Sequence, residues 1–158
     1  MALSRGALNP NSGAMMKYFA EQKIDLHRDR VVELLTDHRY RRHWQPGFQS
    51  MEPLDGEPGT VGATSLLNFK VGDRPFEMIE TILAKDIPYS YMVSYVSDQS
   101  ASISRNSFEE TEDGGTLWRV ELEMKLKGLY GLLAMLRPAS FKMQTQALMK
   151  SFADYAAR

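Results

Sequence analysis

Thr116-Leu117-Trp118-Arg119-Val120-Glu121-Leu122-Glu123-Met124-Lys125-Leu126 is the stretch on which the fold turns. Trp118, Val120, Leu122, Met124 and Leu126 alternate with Arg119, Glu121, Glu123 and Lys125. Successive side chains of a strand point to opposite faces, so this period of two predicts a strand with one face in a core and one in water. After Gly128 the period changes. Phe141, Thr145, Leu148, Phe152 and Tyr155 recur every three or four residues, with Lys142, Gln146, Lys150 and Asp154 elsewhere on the wheel. That spacing predicts an amphipathic helix laid on the sheet.

Working back from Thr116, turn residues recur at regular intervals. They are Asp113-Gly114-Gly115, Ser97 to Ser100, Asp86 to Pro88, Gly72-Asp73 with Pro75 beyond, and Asp55 to Gly59. Between them lie runs of strand length: Ala101 to Glu109, Tyr89 to Val96, Phe76 to Lys85 and Val61 to Val71. Short connections at this spacing predict hairpins and an antiparallel meander. Nearer the N-terminus, Lys17 to Leu26 reads as a strand. Val31, Val32, Leu34 and Leu35 then have helical spacing, with Asp29 as a cap or first-turn anion. A second short helix is predicted over Tyr40 to Trp44, stopped by Pro46-Gly47.

Downstream of the sheet, Leu129 to Leu136 is an apolar helical segment. Pro138 separates it from the final helix near Arg137, because proline lacks the N–H donor and its ring clashes with the preceding turn. The order predicts an α+β domain: a curved antiparallel sheet of six or seven strands wrapped around a long C-terminal helix, with two short helices after the first strand. Where one helix and a curved sheet do not touch, a pocket remains.

At 158 residues the chain has the size of one domain. The expected division is a flexible leader or appended remnant over residues 1–15, ahead of a start at Met15-Met16, and one domain over 16–158. Lys and Arg total 19 and Asp and Glu 20, so there is no basic face to recommend nucleic acid as a partner. The absence of cysteine excludes disulfides, thiolate catalysis and Cys-type zinc sites. His27, His38 and His43 include no helical i,i+4 pair, so no metal is expected. The sequence has no Gly-rich phosphate loop and no nucleophile elbow, and no cofactor is expected. No apolar run reaches the roughly 20 residues of a membrane span, and residues 1–14 lack the apolar core of a signal peptide. The expected location is cytoplasmic.

Four local patterns in this order resemble the START-like superfamily, specifically its polyketide cyclase/dehydrase and lipid-transport branch. They are Ile24-Asp25-Leu26 leading into Val31 to Asp37, then Tyr40 to Gly47 with its tryptophan and Pro-Gly pair, then Pro58 to Thr64, and finally Gly114 to Val120 ahead of the C-terminal helix. The likeness runs from about Tyr18 to Tyr155. It implies the helix-grip fold and an internal cavity. It carries no universal catalytic set onto this chain.

Candidate ligand contacts follow from parity. Leu67 and Phe69, then Tyr89, Tyr91 and Tyr95, then Trp118, Val120 and Leu122 form the expected strand walls, and Phe141, Leu148 and Phe152 the helix wall. Tyrosine combines an apolar ring with a hydroxyl that can meet a polar ligand atom. If Phe76, Met78, Glu80 and Ile82 share the buried face, Met78 joins the wall and Glu80 becomes a buried carboxyl and the candidate catalytic group. The alternative register buries Ile79, Thr81 and Leu83. Phe108, Asn106, Ser104 and Ser102 share one parity, which puts Asn106 inside and Arg105 outside. Trp44 either meets ligand at the cavity entrance or fills the small core beneath the helix pair, and Phe48 carries the same two readings. Arg39, Arg41 and Arg42 form a basic cluster that reads as a solvated helix face or as an attractor for an anionic group. Ten methionines suit an adaptable apolar cavity.

Three functions compete. The first is binding or carriage of a small hydrophobic molecule that is lipid-like, polyketide-like or aromatic. The second is a cyclase or aromatase whose Glu80 or tyrosine moves a proton. The third is an interaction or stress-related protein with a filled cavity. The leucines of Leu129 to Leu136 (Leu129, Leu132, Leu133 and Leu136) read as a lid, as a transient membrane contact, or as packing on the sheet rim.

Overall fold

A computed structural model describes residues 14–134 and 136–158. Residues 1–13 of the expected leader, Met135, and the side chains of Ala14, Tyr130 and Leu132 lie outside the described set. The elements run β1 (Ala14–Ile24), α1 (Arg28–Thr36), a 3-10 turn (His38–Tyr40), α2 (Arg41–Trp44), β2 (Phe48–Asp55), β3 (Thr64–Val71) and β4 (Arg74–Asp86). Then come β5 (Ser90–Val96), β6 (Ser100–Glu110), β7 (Thr116–Leu126), α3 (Gly128–Ala134) and α4 (Pro138–Ala156). The strands form one seven-stranded antiparallel sheet in the order β1-β7-β6-β5-β4-β3-β2. The helix-grip architecture is as expected.

β7 shows why the period-two reading works. Trp118, Val120, Leu122 and Leu126 are buried while Arg119 faces water. Register shifts between β2 and β3 and between Ile82 and Ala84 of β4 bend the far half of the sheet. α4 lies chiefly on β1 and α2, and α1 touches β6, which leaves β5 without a main helix contact. Side-chain bonds fix that position. The Tyr18 hydroxyl of β1 meets Thr145 Oγ1 at 2.7 Å, and Ser151 Oγ of α4 donates to the Trp44 carbonyl at 2.8 Å.

The break at Pro138 is present, with proline in the first turn of α4 and Arg137 outside the helix. Gly47, at φ 77°, carries the chain from α2 into β2, and a Cβ there would stand 2.5 Å from the Lys70 carbonyl oxygen. Only glycine fits that approach without strain.

Several boundaries differ from the expectation. β1 starts at Ala14 rather than Lys17, so Ala14 and Met15 of the assigned leader pair with β7. β3 starts at Thr64, leaving Val61 exposed in the loop before it. β2 had no strand signal. It is the sheet edge, mostly exposed and containing Pro53, and an edge strand needs neither alternation nor every N–H donor. α3 packs on the rim of β7 through Gly131 and Ala134, while Leu129, Leu133 and Leu136 point outward.

Candidate functional site

Between α4 and the uncovered part of the sheet lies a cavity of about 250 Å³. β7 supplies an apolar side from Trp118, Val120, Leu122 and Met124, with Leu148 and Thr145 of α4 above it. β5 contributes Tyr91 and Tyr95, and β6 contributes Ser100, Ser102, Ser104 and Asn106. Leu35, Arg41, Trp44 and Gln45 close one end, with Met78 of β4 beside them.

An aromatic series backs this wall. Trp44 and Trp118 both meet Phe152 edge-on, at 5.2 and 5.6 Å between centroids, and Phe108 stacks between Trp118 and Tyr91. Such pairs add about 0.5–1.5 kcal/mol each beyond area burial. The Trp118 indole donates to Asn106 Oδ1 at 3.0 Å, and Asn106 Nδ2 donates to Ser104 Oγ at 3.2 Å, so a carboxamide inside the sheet has partners on both ends.

Beside the cavity sits a buried ion pair. Arg41 Nη2 reaches Glu80 Oε2 at 2.6 Å, with the residues 8% and 6% exposed. The inward register of Met78 and Glu80 is the one observed. Burial is the largest single influence and opposes charge on Arg41, but Glu80 together with Tyr95 and Tyr91 outweighs it and the guanidinium ends above its ordinary value. Burial likewise pushes the Tyr91 phenol up to about 12. Tyr95, beside Glu80, lies well above the ordinary phenol range, with burial the largest cause and the Glu80 charge the next. Both rings keep some accessible surface because they border the void. Arg41 and Glu80 also line a second, more polar cleft with Asp37, His38, Ser65 and Lys85. Arg41 thus stands as a partition between two hollows.

The cavity brings together Trp44, Met78, Tyr91, Tyr95, Asn106, Trp118, Val120, Leu122 and Leu148 of the expected contacts. Six others are elsewhere. Glu80 faces the second cleft and not the main cavity, because Arg41 covers it. Leu67 and Phe69 are buried, but on β3, where Phe48 packs on Phe69 at 5.7 Å. Phe152 is wholly buried behind Trp44 and Trp118, and Phe141 is half-buried where its carbonyl accepts from Tyr18. Tyr89 is 53% exposed in the turn before β5, its ring held under the Arg28 guanidinium at 4.6 Å. Trp44 lines the cavity and also joins the core. Phe48 satisfies neither, packing instead on β3.

Arg41 was missed as a lone buried cation because it sits among exposed Arg39 and Arg42. The row Ser100, Ser102 and Ser104 was missed as a wall, although parity with Phe108 marked it: hydroxyls on a buried face need partners. Arg105 lies outside as expected, 2.6 Å from Glu123. Among the described residues no group of His, Cys, Asp and Glu is placed to hold a metal ion, and no helix is long and apolar enough to cross a membrane.

The architecture is that of the START-like helix-grip fold, and solved structures share it at low identity. Ara h 8.0201 superposes with a TM-score of 0.74 at 16% identity, over 91% of this chain and 99% of its own. Major latex-like protein 151 from Panax ginseng gives 0.71 at 16%, over 92% and 100%. Norcoclaurine synthase from Thalictrum flavum, in complex with dopamine and hydroxybenzaldehyde, gives 0.65 at 16%, over 98% and 93%. No family model and no curated protein matches the sequence.

Proposed function

We propose that this chain binds a small, largely hydrophobic molecule in the cavity between the sheet and α4, and carries it unchanged. The observation behind this reading is the cavity itself, with the apolar row of β7 along one side and Leu148 above. Burial of a ligand's apolar surface there yields roughly 25 cal/mol per Å² before ordering costs. The same fold holds dopamine and hydroxybenzaldehyde in norcoclaurine synthase, which supports small aromatic molecules as occupants. The experiment is native mass spectrometry of freshly purified protein, joined to titration with an apolar fluorescent probe. Val120→Trp, which fills the cavity, should abolish both a co-purified mass and probe uptake. Uptake unchanged in that variant would remove the reading.

The cyclase reading has less support. Glu80 is engaged by Arg41 and does not line the cavity. The phenols of Tyr91 and Tyr95 are pushed upward, away from the neutral range where a proton carrier works best. The filled-cavity reading conflicts with the void.

Ligand exchange on this reading uses an anionic membrane surface. Leu129 and Leu136 are 71% and 76% exposed, with Leu133 and Met143 exposed beside them in sequence. Lys125, Lys127, Arg137, Lys142 and Lys150 flank them, and no acidic residue occurs between Glu123 and Asp154. Apolar side chains ringed by cations alone suit an interface with anionic headgroups. None of the described α3 residues lines the cavity, which favours a surface contact over a lid.

A further inference from the structure

Apolar burial explains one side of the cavity and leaves the other unexplained. Ser100, Ser102, Ser104 and Asn106 occupy successive inward positions of β6, and Tyr91 and Tyr95 stand opposite Asn106 and Ser102 on β5. On the other flank of β6, Val120, Leu122 and Met124 pair with Asn106, Ser104 and Ser102. The lining therefore changes from hydroxylated to apolar across a single strand spacing, about 4.8 Å. Same-face positions on a strand are roughly 6.7 Å apart, so the polar row extends roughly 20 Å.

Much of this row is unspent. Asn106 is engaged with Trp118 and Ser104, and Ser100 with Ser97 at 3.4 Å. Ser104 accepts from Asn106 and keeps its own O–H to give. Ser102 Oγ and the Tyr91 hydroxyl make no hydrogen bond among the described residues, and both side chains border the void; Trp44 Nε1 and Gln45 Oε1 on the same lining are also unpartnered. Hydroxyls left unpaired under a bound hydrocarbon cost on the order of 1–3 kcal/mol each. A wholly apolar occupant would incur that cost, whereas an occupant with oxygens on one edge would not.

Charge narrows the class further. Arg41 is the one charged side chain on the described lining, and Glu80 already neutralises it. An arriving carboxylate would have to compete with Glu80 for the guanidinium while losing its own hydration. The geometry points to a neutral ligand with hydroxyl or carbonyl oxygens along one edge, meeting Ser102, Ser104 and Tyr91, and an apolar body against Val120, Leu122 and Leu148. This rests on the cavity-binding reading above and names its ligand class.

Three three-ring probes test it by fluorescence or calorimetric titration. Anthracene carries no oxygen. Dantron adds two hydroxyls and a carbonyl on one edge, with a second carbonyl on the opposite edge. Rhein is dantron with a carboxylate. On the unaltered protein rhein should bind at least tenfold more weakly than dantron. In Ser102→Ala/Ser104→Ala the preference for dantron over anthracene should fall about tenfold, the worth of one or two hydrogen bonds. Rhein binding as well as dantron, or a preference unchanged by the double substitution, overturns the inference while leaving a cavity that binds. Failure of all three probes, anthracene included, overturns the cavity reading along with it. The rhein comparison needs no variant, so a misfolded double mutant does not rescue the idea.

Discussion

Replacing Glu80 with Gln tests the arrangement around the cavity most directly. The pair is nearly sealed, with Arg41 8% and Glu80 6% exposed and 2.6 Å between the charged atoms. Losing one partner leaves a guanidinium without its counter-charge in a site with little access to water, which costs about 3–5 kcal/mol. At about 2–4 °C per kcal/mol for a domain of this size, the melting temperature should fall by roughly 6–20 °C. Arg41→Met should cost a similar amount, because it strands the Glu80 carboxylate. The double variant Arg41→Met/Glu80→Leu should be far less damaged than the sum, since replacing both charges of a buried pair with apolar groups is often nearly neutral. Guanidinium unfolding is a suitable assay because the two tryptophans, Trp44 and Trp118, are both core residues next to the cavity. Single variants that cost under about 1 kcal/mol and add without coupling would refute the buried pair. They would also remove the partition between the two hollows.

Three further outcomes are expected. The ordinary phenol value is 10 and Tyr91 is held at about 12, so its contribution to stability is complete below pH 10 and is lost as pH rises through about 12. Ultraviolet titration should show late-ionising phenols that Tyr91→Phe reduces; a single midpoint near 10 for all seven tyrosines would contradict this. Gly47→Ala should destabilise by about 1–3 kcal/mol or more, because the position has positive φ and the new Cβ meets the Lys70 carbonyl; an unchanged unfolding midpoint would contradict the backbone described here. Leu133→Asp/Leu136→Asp should weaken co-sedimentation with phosphatidylserine vesicles while leaving phosphatidylcholine vesicles unbound and the fold intact. Equal sedimentation of variant and parent would dispose of the membrane contact.

What could be read from the residues alone was whatever the local pattern dictates. β7 was legible because each of its positions is either inside or outside, and α4 because its stripe has one period throughout. The break before α4 was legible because Pro138 enforces it within a single residue. β2 was illegible for the converse reason: an exposed edge imposes no alternation, and Pro53 argues against a strand. Arg41 pairs with a carboxylate 39 residues away, so nothing near it in the chain distinguishes it from Arg39 or Arg42. Tyr89 has strand parity with Tyr91, but its backbone belongs to the turn, where its N–H bonds to the Asp86 carbonyl and its ring is turned to Arg28. The nine expected contacts that do reach the cavity lie mainly on strands, whose direction is set by register. Phe152 and Glu80 missed because neighbours from other elements stand in front of them, Trp44 and Trp118 for the first and Arg41 for the second.

The placement of β1 beside β7 bears on the order in which the molecule is made. β2 through β7 are each adjacent to a sequence neighbour and can zip as hairpins while the chain emerges. β1 leaves the ribosome first, yet its partner is about 100 residues later, which at about 5–20 residues per second is a delay on the order of 5–20 s. Contacts this distant in sequence slow folding, because the intervening loop must be closed before any bond rewards it. Until then Met15 and Phe19 ride on an unpaired strand, a natural client for a holding chaperone. α4, made after every strand of the sheet, docks on β1, so the cavity comes into being only once that helix is in place.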